Sequence, residues 1–125
     1  MTISDGGRIT AANGDKGTFG GHAKVSDSGQ DVSGNQTYPD HGPAQPMTVK
    51  SLNVLVVVCS ADRTEATVHG QATIDGSGSF FYRIRLKDGG EPGKGVDAYG
   101  ILLANGYFSG DQTLEAGNVQ ITVHE

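Results

Sequence analysis

Tryptophan is missing from this chain, cysteine occurs once, and no apolar run reaches membrane-spanning length. A single Cys59 excludes an intrachain disulfide, and its place at the end of an apolar run reads as a buried, inert thiol. With no apolar stretch of about 18 residues there is no helical membrane span. Positive charge is also scarce: 9 Lys and Arg against 14 Asp and Glu leave a net charge of −5. That balance argues against a nucleic-acid partner, because affinity for a phosphate backbone rests on lysine and arginine. Amphipathic periodicity of helical length is absent as well, which leaves an all-β chain.

Glycine, by contrast, is abundant. Its 20 residues among 125 are scattered between short alternating segments, as turns and bulges joining strands would require. The clearest segment is 66–86. Ala66, Val68, Gly70, Ala72 and Ile74 share one parity, and Thr67, His69, Gln71 and Thr73 the other. Asp75 to Gly78 interrupts with residues that tolerate positive φ. Phe80, Tyr82, Ile84 and Leu86 then alternate with Phe81, Arg83, Arg85 and Lys87. Period two with one apolar face predicts a β-hairpin buried on one side.

The same reading extends along the chain as one domain, residues 1–125. Met1 to Asp5 reads as a frayed start, and Gly6 to Ala12 as an edge strand around Ile9. In the next run Phe19, Gly21, Ala23 and Val25 point inward, their small members leaving room for a facing backbone, Phe or Tyr. Pro39 to Pro46 carries three prolines, which forbid a central strand and predict an ordered surface loop. Val54 to Val58 is continuously apolar, as in a strand covered on both faces, with a bulge expected at Leu52 and Asn53. Asn105 and Gly106 mark a hairpin turn. Val119, Ile121 and Val123 alternate inward at the end of the chain. Roughly eight to nine short antiparallel strands make a β-sandwich or a small flattened β-barrel.

Chemistry-bearing residues are few. His22, His41, His69 and His124 form no close pair with metal-ligand spacing. Three of them lie on polar strand parities, as surface residues or, if strands converge, as part of an acid–base set. Asp88, Glu91 and Asp97 flank a glycine-rich connection. They could give oxygens to Ca²⁺, or cap the turn through hydrogen bonds to backbone N–H groups. No nucleophile motif or phosphate loop is present. Phe81 sits on the polar parity beside Arg83, a contact patch if both are exposed. Tyr38, Tyr107 and Phe108 are further aromatics on which a sugar could stack. His41 stands in the proline-rich loop, where a rigid scaffold would present binding residues.

The C-terminal half also carries a specific pattern. A Gly-rich hairpin runs into a strand of alternating aromatics. Asp88, Gly90, Glu91, Pro92 and Gly93 follow, then Asp97 and Tyr99, then Asn105, Gly106 and Tyr107. Gly117, Asn118, Val119, Gln120 and Ile121 close the pattern, and Gly17 to Gly20 matches its first long strand. It resembles a small all-β domain found, often C-terminally, in many bacterial secreted and cell-surface proteins. The Pro39 to Pro46 loop departs from that pattern. The resemblance implies a non-catalytic accessory module without a defined ligand, and a secreted or cell-surface location. No export signal is visible after Met1, so the residues themselves leave a cytoplasmic location open.

Two functions therefore stand beside each other. One is a non-catalytic binding or structural module of bacterial origin, with a protein, glycan or small-molecule ligand and no cofactor unless Ca²⁺ is held. The other is a small β-barrel enzyme or small-molecule binder with an interior pocket lined by Phe19, Tyr82 and Tyr99. Small residues at Gly21, Ala23, Gly70 and Ala72 would leave the pocket its room. A third possibility is a homodimer, formed by pairing of an edge strand or through an exposed apolar face.

Overall fold

The computed structural model describes residues 1–26, 28, 30–90 and 95–122. Ten strands appear among them and no helix: β1 (Thr2–Thr10), β2 (Lys16–Val25), β3 (Val32–Asp40), β4 (Met47–Ser51), β5 (Val56–Cys59), β6 (Glu65–Ile74), β7 (Ser77–Lys87), β8 (Ala98–Leu103), β9 (Gln112–Thr113) and β10 (Ala116–Thr122). No helix among the described residues is long and apolar enough to cross a membrane. The strands form one antiparallel sheet in the order β10-β1-β2-β3-β4-β6-β7-β8-β9, with β5 paired to β6 beside β4. Chain neighbours are mostly sheet neighbours; the return of β10 to β1 is the main long-range step.

The sheet curls into a half-barrel, the flattened all-β architecture that the alternation predicts. Its concave side carries the inward parity of every long strand: Ile3 and Ile9, Phe19 and Ala23, Tyr38, Val49, Val68 and Ala72, Ile84 and Leu86, Tyr99 and Ile101, and Val119. The Phe19 ring stacks on Tyr99 with centroids 4.0 Å apart, and Tyr38 lies 5.8 Å from Tyr99 on the same side. These contacts bring β2 and β3 over β8 and fill the fold with aromatic area.

The 66–86 hairpin forms as expected, turning through Asp75 and Gly76 at φ 53° and 78°, with Ile74 opposite Ser77. This is the positive-φ geometry that a two-residue hairpin loop demands.

Several expectations are corrected. The first residues are not frayed, and β1 is no edge: it pairs with both β2 and β10, and Ile3 is fully buried. Strand β3 runs through Pro39, which lies opposite Thr48 on β4. The Val54 to Val58 run is covered on one face only: Val54 is buried, whereas Leu55, Val56 and Val58 are exposed. The bulge is present and doubled. Leu52 and Asn53 both donate to the Gln71 carbonyl, and Leu55 donates to the His69 carbonyl, although His69 is registered with Val56. Inward parity consequently passes from Val49 and Ser51 to Val54, then to Val57 and Cys59.

Candidate functional site

Three regions hold the residues singled out from the sequence. The first is the interior. Tyr82 and Tyr99 are buried as inward residues of β7 and β8, and Phe19 meets Tyr99 directly. The space bounded by Gln36, Tyr38, Val49, Ala72, Tyr82 and Ile101 has no room for a water molecule. Gly70 leaves no void either: a Cβ there would lie 2.3 Å from the Asn53 carbonyl and 2.6 Å from the Tyr82 hydroxyl. That hydroxyl donates to the Asn53 carbonyl at 2.8 Å. The Tyr99 hydroxyl is buried without a partner among the described residues. Burial pushes the pKa of Tyr99 well up and that of Tyr82 up to about 12, with the Asp5 carboxyl adding to both.

Asp5 is the interior group that reading the sequence misses, because β1 does not fray and its parity turns Asp5 inward. Neither carboxyl oxygen has a donor in hydrogen-bonding geometry among the described residues. Burial raises its pKa to about 7, and the neighbouring Gln36 amide pulls the other way. Gln36 donates through Nε2 to the His22 carbonyl at 3.3 Å, and its own Oε1 lacks a donor.

The second region is made of carboxylates that hold loops. Asp15 accepts the N–H groups of Ala44 and Gln45 at 2.9 and 2.8 Å. Burial opposes its ionisation, but these N–H bonds outweigh it and hold the carboxyl below its usual range. Asp40 accepts the Gly42 N–H at 2.8 Å and the Tyr107 hydroxyl at 2.7 Å. Since Tyr107 gives its proton to Asp40, Tyr38 is the donor in the 2.8 Å Tyr38–Tyr107 bond. The proline-rich loop is thus anchored from beneath. Its His41 is exposed and meets the Thr18 hydroxyl through Nε2 at 3.0 Å, whereas Tyr82 and Tyr99 are buried.

Asp88 and Asp97 belong to the same group. The Gly89 and Gly90 N–H groups donate to Asp97 Oδ1 at 2.6 and 3.2 Å, and the Val119 N–H to Oδ2 at 2.7 Å. Asp88 Oδ2 takes the Ile121 N–H at 3.0 Å. Asp97 therefore faces backbone donors of β10 and of the connection, and Asp88 a backbone donor of β10. Glu91, the third carboxylate offered to calcium, lies outside the described residues, as does His124.

The third region is the convex face of β5, β6 and β7. Phe81 is 62% exposed there, and Val56 47%. Register places Val56, His69, Arg83 and Leu102 in one row across four strands. Leu55 and Phe81 flank that row and, with Val56, His69, Gly70 and Tyr82, line an open hollow of about 530 Å³. The Arg83 Nε is buried with no hydrogen-bond partner among the described residues, whereas Arg85 pairs with Asp111 at 3.1 Å. Sequence parity placed Phe81 and Arg83 together on this face. It missed Leu55, Val56 and Val58, because bulges decide which way those side chains point.

Comparison with protein-family models, with curated proteins and with solved structures finds no match to this chain.

Proposed function

We propose that this chain is a non-catalytic β-module that docks a protein partner on the convex face of β5, β6 and β7. The observation that carries the reading is the open hollow between Leu55, Val56 and Phe81. Exposed large apolar side chains grouped on one sheet face mark an interaction surface more often than scattered ones do. Arg83, in register with His69 of the hollow, gives that surface a positive charge suited to an acidic group on the partner. The filled interior weighs against a ligand bound inside the half-barrel, since a pocket of the usual size would need about 300 Å³ or more.

The resemblance to the domain of bacterial secreted and cell-surface proteins belongs to the same proposal, and with it an accessory role outside the cell. Asp88 and Asp97 act in this reading as edge caps, with no calcium required.

The reading is tested by NMR mapping with isopropanol and phenol as small apolar probes. Shifts concentrated at the amides of Leu55, Gly70 and Phe81 are expected. Shifts confined to Ala72, Ile84 and Ile101 would instead favour the small-molecule binder with an interior pocket.

A further inference from the structure

Every strand edge of a sheet presents N–H and C=O groups that must find a partner. Toward both ends of the sheet order the chain supplies it. The outer edge of β10 gives its Val119 and Ile121 N–H groups to Asp97 and Asp88. The outer edge of β8 is covered by the returning chain: Leu103 donates to the Tyr107 carbonyl, Ser109 to the Ile101 carbonyl, and Ile101 to the Ser109 hydroxyl. Among the described residues, the stretches with no strand beside them include 32–35 of β3 and the outer edge of β5.

These two stretches differ in kind. Val32, Ser33, Gly34 and Asn35 form a polar edge broken by Gly34 at φ 144°, a poor template for another strand. Strand β5 reads Val, Val, Val, Cys, with no charge, proline or glycine to blunt it. Its free groups can be assigned. Ser60 N–H donates to the Glu65 carbonyl, and antiparallel bonding alternates, so Val58 and Val56 face β6 in turn. The N–H and C=O of Val57 and Cys59 therefore point away from the sheet.

We propose that a second copy of this chain occupies this edge, its β5 adding antiparallel to β5 so that one sheet runs through both protomers. The proposal rests on the docking-module reading for its apolar surroundings, though not on the Phe81 hollow. Charge is the argument for a second copy. Each chain carries −5, yet no charged residue occurs from Ser51 through Ser60. Two acidic molecules can meet along this line without like charges opposing across the new ladder. Antiparallel pairing of a strand with itself sets valine against valine, and Val56 and Val58, both exposed, form cross-strand apolar contacts. Such a contact is isologous, so assembly closes at two.

The test is sedimentation velocity of the full chain over a wide concentration range, with hydrogen exchange read at each end. The mass should move from 12.9 kDa toward twice that value as concentration rises. The Val57 and Cys59 amides should slow by about tenfold or more in the dimer. Val58→Lys and Val56→Lys, each at an exposed position, should hold the chain monomeric with an unchanged circular dichroism spectrum. Phe108→Ser, at an exposed site away from β5, should still dimerise. If one lysine variant misfolds, the other variant and the wild-type exchange data decide the matter. A monomer at every concentration overturns the proposal, and so does open-ended growth, which would mean pairing of β5 with β3. A dimer that survives both lysine substitutions, or leaves Val57 and Cys59 exchanging as in the monomer, overturns its placement. None of these failures touches the probe mapping at Phe81, which decides the docking face separately.

Discussion

Asp97 holds the edge of β10 closed: its Oδ2 takes the Val119 N–H at 2.7 Å, while its Oδ1 takes Gly89 and Gly90 from the connection that precedes it. One buried carboxylate therefore serves three backbone donors and stands where a further strand would otherwise bond. An edge satisfied in this way offers no template to a neighbouring chain. It is the counterpart of the open edge at β5.

Replacing Asp97 by Ala should cost about 3 kcal/mol or more, because buried N–H groups lose a charged acceptor with no water to replace it. Asp97→Asn keeps one oxygen and should cost less, though more than about 1 kcal/mol. Urea denaturation of both variants measures this. Millimolar calcium should leave the melting temperature of the wild type unchanged. A rise reversed by a chelator would mean that these carboxylates turn from backbone to cation.

Two tyrosines predict opposite responses to loss of a hydroxyl. The Tyr99 hydroxyl is buried without a partner among the described residues, so Tyr99→Phe removes a desolvated group and keeps the ring on Phe19. Stability should stay level or rise by up to about 1 kcal/mol. Tyr107→Phe breaks a chain that runs from Tyr38 through Tyr107 to Asp40. It strands one buried donor and leaves a buried carboxylate short of one, and should cost about 2–3 kcal/mol. Thermal unfolding of the two variants side by side gives the sign directly. Equal losses would show that the hydroxyl chain is not a stabilising feature.

The glycines show how far the sequence could be read. Alternation over 66–86 gives the hairpin, its turn and its buried face, because period two is a local signal. Small inward residues at Gly21 and Gly70 signal close approach, but the pattern does not say whether the freed space is empty. Tyr82 fills it from the next strand at Gly70, and the Gln36 side chain from β3 at Gly21. Phe81 and Arg83 were legible as a pair on the outer face. The exposure of Leu55 and Val56 was not, since the bulges at 52–55 alter parity through hydrogen bonds to Gln71 and His69 across the sheet. Asp5 was missed for a related reason: only pairing with β10, about a chain length away, makes the first residues a central strand. Gly70→Ala tests the filled-space account. It should destabilise by about 1–3 kcal/mol, as overpacking does, whereas an empty pocket would accept the methyl group without loss.

Asp5 supplies the last prediction, and its sign is set by burial. The carboxyl is raised from 3.8 to about 7 in the fold, chiefly by desolvation, and no cation among the described residues bonds to it. Gln36, Tyr82 and Tyr99 around it are neutral across this range. The folded state therefore holds the proton more tightly than the unfolded chain does. Asp5 is harmless below pH 3.8, where it is protonated in both states. Its contribution falls as pH rises toward about 7 and is constant above, a loss of up to about 4 kcal/mol. Asp15, Asp62 and Glu115 are lowered and act in the opposite sense, losing stability as acid protonates them. Comparing wild type with Asp5→Asn at each pH cancels those groups and isolates Asp5. The variant should match the wild type near pH 4 and exceed its stability at pH 8 by about 1–4 kcal/mol. A constant difference between the two across that range would mean that Asp5 ionises in the fold as it does in the open chain.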